Sequence, residues 1–333
     1  MKRLLILIVV LAGLGGIAWA VAAMTMQTAA TRWLDDRQIE GWVVNVADVS
    51  VEGFPLTFET DFTDLQLADP ETGLAWSTPR FQLAQEVHRL DRITATFPDA
   101  QILASPAERL TLTSTEMFAD LDLRPTSNFA LDGLDGALTE LSVSSSLGWT
   151  LALASADLSI ADMAGDTNRY DIVLTAVDLD PPQAVRNTLD PAGVLPELIA
   201  QFGLAIRARF DAPWDMAAIE VARPQPTQLE IEQISANWGD MLFRATGTLD
   251  VTAGGVPEGA LAVRAENWRA MVDLATNAGL LPERIRPTAE AMLEVLAGMN
   301  GSAENIDATL NFSNGRAFIG PLPIGPAPSL RIR

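Results

Sequence analysis

The polar and apolar positions of this chain follow two patterns in succession. From Leu4 to Met24 no residue is charged, a run of 21 positions. As a helix rising 1.5 Å per residue, such a run reaches about 30 Å, the thickness of a hydrocarbon core. Beyond it the dominant period is two. Val44-Asn45-Val46-Ala47-Asp48-Val49-Ser50-Val51 alternates, and so do Leu56-Thr57-Phe58-Glu59-Thr60-Asp61-Phe62 and Leu65-Gln66-Leu67. Alternation of this kind predicts strands buried on one face. Comparable stretches lie at 81–83, 110–112, 121–123, 138–143, 149–160 and 170–179. Asp69-Pro70-Glu71-Thr72-Gly73, Asp132-Gly133, Asp135-Gly136 and Ala164-Gly165-Asp166 carry the residues that tight connections favour, and predict turns between antiparallel strands.

The pattern changes after Pro181-Pro182. Val185, Leu189, Val194, Leu195, Leu198, Ile199 and Phe202 keep a broken helical spacing, interrupted by Pro191 and Pro196, which predicts one or two short helices. Strands resume at 203–210, 216–221, 228–235 and 241–251. Helical spacing returns at 268–278 and 287–296, and strands at 306–312 and 316–319 close the pattern. The last fifteen or so residues, rich in Pro and Gly, are expected to lie extended or to form an irregular cap. A Trp beside a Gly opens or precedes a strand twice, at Gly148-Trp149 and at Trp238-Gly239, a weak echo between two halves. The expected fold is mainly β with a few helices (α+β): amphipathic antiparallel sheets in two sheet-rich halves behind one N-terminal transmembrane helix. The boundaries are 1–24 for a membrane anchor or signal peptide, 25–180 for the first half, 181–202 for a helical connection, and 203–333 for the second half.

Charge orients the first segment. Lys2 and Arg3 precede the run while Asp35, Asp36 and Glu40 follow it, so the positive-inside rule places the N-terminus in the cytoplasm and the body outside. Two readings stay open. A retained anchor gives a single-pass protein of a bacterial inner membrane with its body in the periplasm. Alternatively, Ala18-Trp19-Ala20 or Ala20-Val21-Ala22 supplies the small residues of a signal-peptidase site, leaving a soluble periplasmic protein. Composition narrows the rest. With 22 Lys+Arg against 43 Asp+Glu the net charge is -21, a field that repels phosphate backbones and excludes nucleic acid as a partner. No Cys is present, so thiol catalysis and thiolate metal sites are excluded. A hydrophobic share of 48% with 20% charged residues is that of a folded body.

Candidate chemistry is sparse. His88, the one histidine, stands in the polar stretch Gln85-Glu86-Val87-His88-Arg89-Leu90-Asp91 and reads as a surface residue rather than a catalyst. Asp132-Gly133-Leu134-Asp135-Gly136 has carboxylates suited to a hard cation but lacks the alternating ligands and terminal Glu of a calcium loop, so turns are favoured. Glu290 and Glu294 share a helix face with no third partner, the pattern of a solvated acidic face. Most of the tryptophans outside the anchor read as packing residues. Gly254-Gly255 has no following Lys, and Gly13, Gly15 and Gly16 lie in the apolar run, so no phosphate-binding loop is present. The expectation is a non-enzymatic protein with no catalytic residue, cofactor site or metal site. Its candidate structural or binding motifs are Gly53, Phe54 and Pro55, a strand corner, and Trp238 with Gly239.

Three segments together resemble a known family: Gly53-Phe54-Pro55-Leu56-Thr57-Phe58, Asn237-Trp238-Gly239 leading to Gly247-Thr248-Leu249-Asp250, and Gly320-Pro321-Leu322-Pro323-Ile324-Gly325. Across most of the chain they look like an uncharacterised alphaproteobacterial family of membrane-anchored proteins with a domain of unknown function, which implies no activity. More distantly, the anchor, the amphipathic strands and Thr246-Gly247-Thr248-Leu249-Asp250-Val251 resemble the AsmA-like envelope proteins, although this chain is shorter than they usually are. That likeness implies lipid handling or envelope homeostasis. In such a role an apolar groove in an amphipathic sheet would take phospholipid, and the N-terminal segment would hold the inner membrane. The alternative is a scaffold that binds another envelope protein at a sheet edge.

Overall fold

The computed structural model describes residues 2–166, 168–299, 302–320 and 322–332, with side chains from residue 13 onward except at 219, 220, 299 and 322. It is mainly antiparallel β, and its chain divides into two compact units, residues 1–122 with 138–148, and residues 123–137 with 149–333.

The first unit opens with α1 (Lys2–Ile39), which continues past the uncharged run without a break. Among the described residues no helix is long and apolar enough to cross a membrane; the side chains of residues 4–12, where the uncharged run begins, lie outside the description. Then follow β1 (Val43–Asn45), β2 (Asp48–Glu52), β3 (Thr57–Asp69), β4 (Leu74–Glu86), β5 (Arg89–Thr96), β6 (Ala100–Ala104), β7 (Arg109–Thr113), β8 (Glu116–Arg124) and β9 (Ala130–Ser145), the end of β8 from residue 123 and the first half of β9 to residue 137 being counted with the second unit. Strand β3 is central, pairing with β1, β2 and β4. It buries Phe58, Thr60 and Phe62 in alternation, and Asp64, at φ +49°, shifts the phase so that Leu65 also turns inward. Helix α1 covers this face. Leu34 packs with Val44, Val49, Phe62 and Leu65, and Gln27 and Gln38 donate side-chain N–H groups to the backbone oxygens of Val49 and Val44 at 2.6 and 2.9 Å. Farther along the sheet Phe81 gathers Phe62, Trp76 and Phe97, with ring centroids 6.0, 5.3 and 5.2 Å away.

The second unit is a meander. Strands β10 (Thr150–Asp162), β11 (Arg169–Leu179), β12 (Ile199–Phe210), β13 (Pro226–Trp238), β14 (Met241–Val251), β15 (Pro257–Glu266), β16 (Asn305–Ser313), β17 (Arg316–Ile319) and β18 (Leu322–Pro326) each pair with the next. Helices α2 (Gln183–Leu189) and α3 (Met216–Glu220) lie in connections. Helices α4 (Trp268–Asn277) and α5 (Arg286–Met299) are inserted between β15 and β16.

Several local expectations change. Asp132-Gly133 and Asp135-Gly136 lie inside β9 rather than in turns, because Asp132 pairs with Arg124 at 3.3 Å and Asp135 accepts the Ser159 hydroxyl at 2.8 Å. Residues 216–220 form α3 rather than a strand, capped by Asp215, whose carboxylate accepts the backbone N–H groups of Ala217 and Ala218. The helical spacing after Pro182 yields only α2, and residues 199–202 begin β12. The tail contributes a strand, β18, to the sheet; Pro321 in the Gly320-to-Gly325 segment lies outside the described residues.

One buried contact makes a direct test. Tyr170, 1% exposed, packs edge-on against Phe210 and accepts the backbone N–H of Trp214 at 3.2 Å. Burial raises its pKa above the ordinary tyrosine value of about 10. The folded state therefore holds a proton that the unfolded state has lost, so this contribution to stability is full below about pH 10 and declines as pH rises further. Because Tyr170 is the single tyrosine, phenolate absorbance reports it alone. Its titration is expected at higher pH in native protein than in urea, and coincident curves would contradict the burial.

Candidate functional site

Helices α4 and α5 are amphipathic by sequence. Trp268, Met271, Val272 and Ala275 share one face of α4, and Ala289, Met292, Leu293 and Leu296 share one face of α5. The opposite faces are charged and tie the pair together from outside. Arg286 bonds Glu290 at 2.7 Å and Asp273 at 2.5 Å, and Arg269 reaches Glu294 at 3.2 Å. Thus Glu290 and Glu294, adjacent on α5 as expected, are each held by an arginine.

Trp268 fixes the start of this insertion. It is 2% exposed, donates its indole N–H to the Ala303 oxygen at 3.2 Å, and lies under the Arg269 guanidinium at 4.4 Å. The chain turns into the helix at Asn267, in the left-handed region at φ +56°.

Between the two helices and the sheet lies a cavity of about 360 Å³, within the range of small-molecule sites. Phe243, Val263, Ala265, Ile306, Ala308 and Leu310 form its floor, and every lining residue is apolar. Two of the floor positions are alanines, and their short side chains leave the space open. Leu280, in the connection between α4 and α5, lines the cavity and is also exposed, which marks where it opens. A hollow of about 650 Å³ shares Val263, Met292, Ala308 and Ile319 with it. Arg244, Arg264 and Asp307 border that hollow but are cross-strand neighbours one residue out of phase with Ala245, Val263 and Ala308. Alternation turns them to the other face of the sheet, and the cavity contains no charge. Its chemistry is therefore confined to holding an apolar group.

The sequence motifs lie elsewhere. Gly53, Phe54 and Pro55 form a corner between β2 and β3 in the first unit, where Gly53 has φ +96° and an added Cβ would meet Thr57 Oγ1 at 2.3 Å. In the second unit Trp238 is buried and donates its indole N–H to the Pro196 oxygen at 2.7 Å. Gly239 lets the chain pass the Pro196 ring, 2.9 Å from where a Cβ would stand. His88 is exposed, 3.2 Å from Glu86. Among the described residues no three His, Cys, Asp or Glu side chains gather as a metal ion requires. The cavity was not singled out from sequence. Its helices were visible as apolar faces at 268–278 and 287–296, but the gap beneath them depends on Ala265 and Ala308 facing those helices across the sheet.

The sequence model of a family described as "Uncharacterized protein conserved in bacteria (DUF2125)" matches residues 19–328. No curated protein and no solved structure matches the chain.

Two substitutions separate packing from surface charge. Trp268→Ala is expected to cost about 3–5 kcal/mol in urea unfolding. Glu290→Gln, at an exposed ion pair, should stay within about 1 kcal/mol of the parent protein.

Proposed function

The chain belongs to the DUF2125 family of uncharacterised bacterial proteins, and from that footing we propose that it is a non-enzymatic envelope protein that holds an acyl chain of a phospholipid beneath α4 and α5. The observation that carries this reading is the wholly apolar cavity. An acyl chain fills such a space without leaving a polar group unpaired, and the acidic exterior keeps the body soluble. The resemblance to alphaproteobacterial membrane-anchored proteins, and more distantly to AsmA-like envelope proteins, points the same way.

The N-terminal segment serves as a retained inner-membrane anchor with the body in the periplasm. Two features support retention. Helix α1 is continuous from Lys2 to Ile39, and Trp19, which either candidate cleavage would remove, donates to the Thr57 oxygen at 3.0 Å and stacks on Phe58.

Full-length protein in membranes containing a phospholipid with a photoreactive acyl chain provides the test. Crosslinks are expected in the peptides of α4, α5 and β16. They should fall about tenfold in Ala308→Phe and in Ala265→Phe, each checked for native circular dichroism. Labelling of these peptides that persists unchanged in both variants overturns the cavity as the site. Absence of labelling in the parent protein shifts the function to a scaffold for another envelope protein.

A further inference from the structure

The uncharged run and the body meet at the Gly53 corner. Trp19 lies within the run, yet its indole is bonded to the Thr57 oxygen, its ring is stacked on Phe58 at 5.5 Å, and Phe54 stands edge-on to it at 5.4 Å. The Phe54 ring also reaches back to Gly16, where an added Cβ would be 3.8 Å away. Val87, at the tip of the β4–β5 connection, donates its backbone N–H to the Leu56 oxygen at 3.0 Å and so joins the corner. Phe54 is 58% exposed, Leu56 72% and Val87 42%; on the adjoining helix Leu14, Ile17 and Val21 are exposed as well. These side chains stand beside the apolar helix at residues 16–19.

We infer that this corner is a second membrane contact, in which Phe54, Leu56 and Val87 are immersed in the phospholipid leaflet on the side of the body. The inference rests on the reading of residues 4–24 as a membrane span, and helix geometry sets the depth. From Leu4 to Trp19 the helix rises about 22 Å, short of a hydrocarbon core of about 30 Å; Met24, after which the apolar run gives way to Thr25, Gln27 and Thr28, is about 7 Å farther on. Because the corner is clamped to residues 16–19, sinking the whole run draws Phe54, Leu56 and Val87 about 7 Å into the leaflet. Interfacial apolar faces lie at that depth, about 5–10 Å. Keeping the corner in water instead leaves Val21 and Met24 in water and the span too short. Apolar area drives the contact, since the net charge of -21 repels anionic headgroups. Glu86 and His88, paired at 3.2 Å beside Val87, set the headgroup level and limit further immersion.

The absence of cysteine makes the test clean. Full-length Leu56→Cys and Val87→Cys, each carrying a polarity-sensitive fluorophore, are reconstituted into phosphatidylcholine vesicles with a spin-labelled lipid that quenches at shallow depth. Glu71→Cys, about 40 Å away at the other end of the β3–β4 hairpin, serves as the reference. Blue-shifted emission and at least threefold stronger quenching at Leu56 and Val87 than at Glu71 are expected. Aqueous emission at Leu56 and Val87, in protein that stays with the vesicles in alkaline carbonate, overturns the immersion and leaves the span intact. Release of the protein by carbonate overturns the span, and the immersed corner with it.

Discussion

Side chains along an antiparallel strand alternate between two faces, so the strands of each unit share an apolar face that must be kept from water. The remaining architecture follows from how that face is covered. In the first unit the cover is one long helix. Leu34 of α1 enters the cluster of Val44, Val49, Phe62 and Leu65, while Gln27 and Gln38 hold the backbones of β2 and β1. This one long helix, with its glutamine tethers, packs closely against the strands beneath it.

In the second unit the meander is too extensive for one helix, and its cover is assembled from pieces. Around Ile231, Leu249, Leu261 and Phe312 the C-terminal tail supplies Ile324 and Ala327. Farther along, Gln225 exchanges two hydrogen bonds with the backbone of Ile332 and fastens the end of the tail. The rest is left to α4 and α5, of ten and fourteen residues. Two short helices joined by a turn cannot follow a twisted sheet as closely as a continuous one. Where small residues stand beneath them, space remains, and the apolar cavity is the consequence. The arginine bridges on the outer surface hold the pair together without bringing charge inside.

The opposite face of the second unit is governed by charge. Arg169, Arg207 and Arg209 stand across β11 and β12 among Asp166, Asp171, Glu230 and Glu232, and several of these pairs share a partner. The hydrogen bond from Arg169, joined by the charge of Arg209, holds the Asp166 carboxyl below its ordinary range. In a chain with about twice as many acidic as basic residues, this concentration of arginine allows neighbouring strands to carry carboxylates at close spacing. Such exposed pairs contribute little stability each, and their effect is to relieve repulsion on a crowded surface.

Much of this was legible in the sequence because it depends on near neighbours. The period of two from Val44 to Phe62 revealed half-buried strands, the apolar spacing at 268–278 and 287–296 revealed α4 and α5, and Asp69-Pro70 with Gly73 revealed a turn. Features that depend on distant partners were hidden. Asp132-Gly133 and Asp135-Gly136 read as turns until Arg124 and Ser159 engaged their carboxylates within β9. Residues 216–220 read as a strand until Asp215 capped them, and Trp19 read only as part of an apolar run until Thr57 and Phe58 met it. The sequence by itself determined the strand-rich class, the acidic surface and the uncharged N-terminal run, because alternation, charge and length are local properties of a chain. Tertiary structure alone decided that Ala265 and Ala308 would leave a cavity beneath two helices and that Phe54 would stand beside Trp19, because a void or a corner exists only once residues far apart in sequence share a surface.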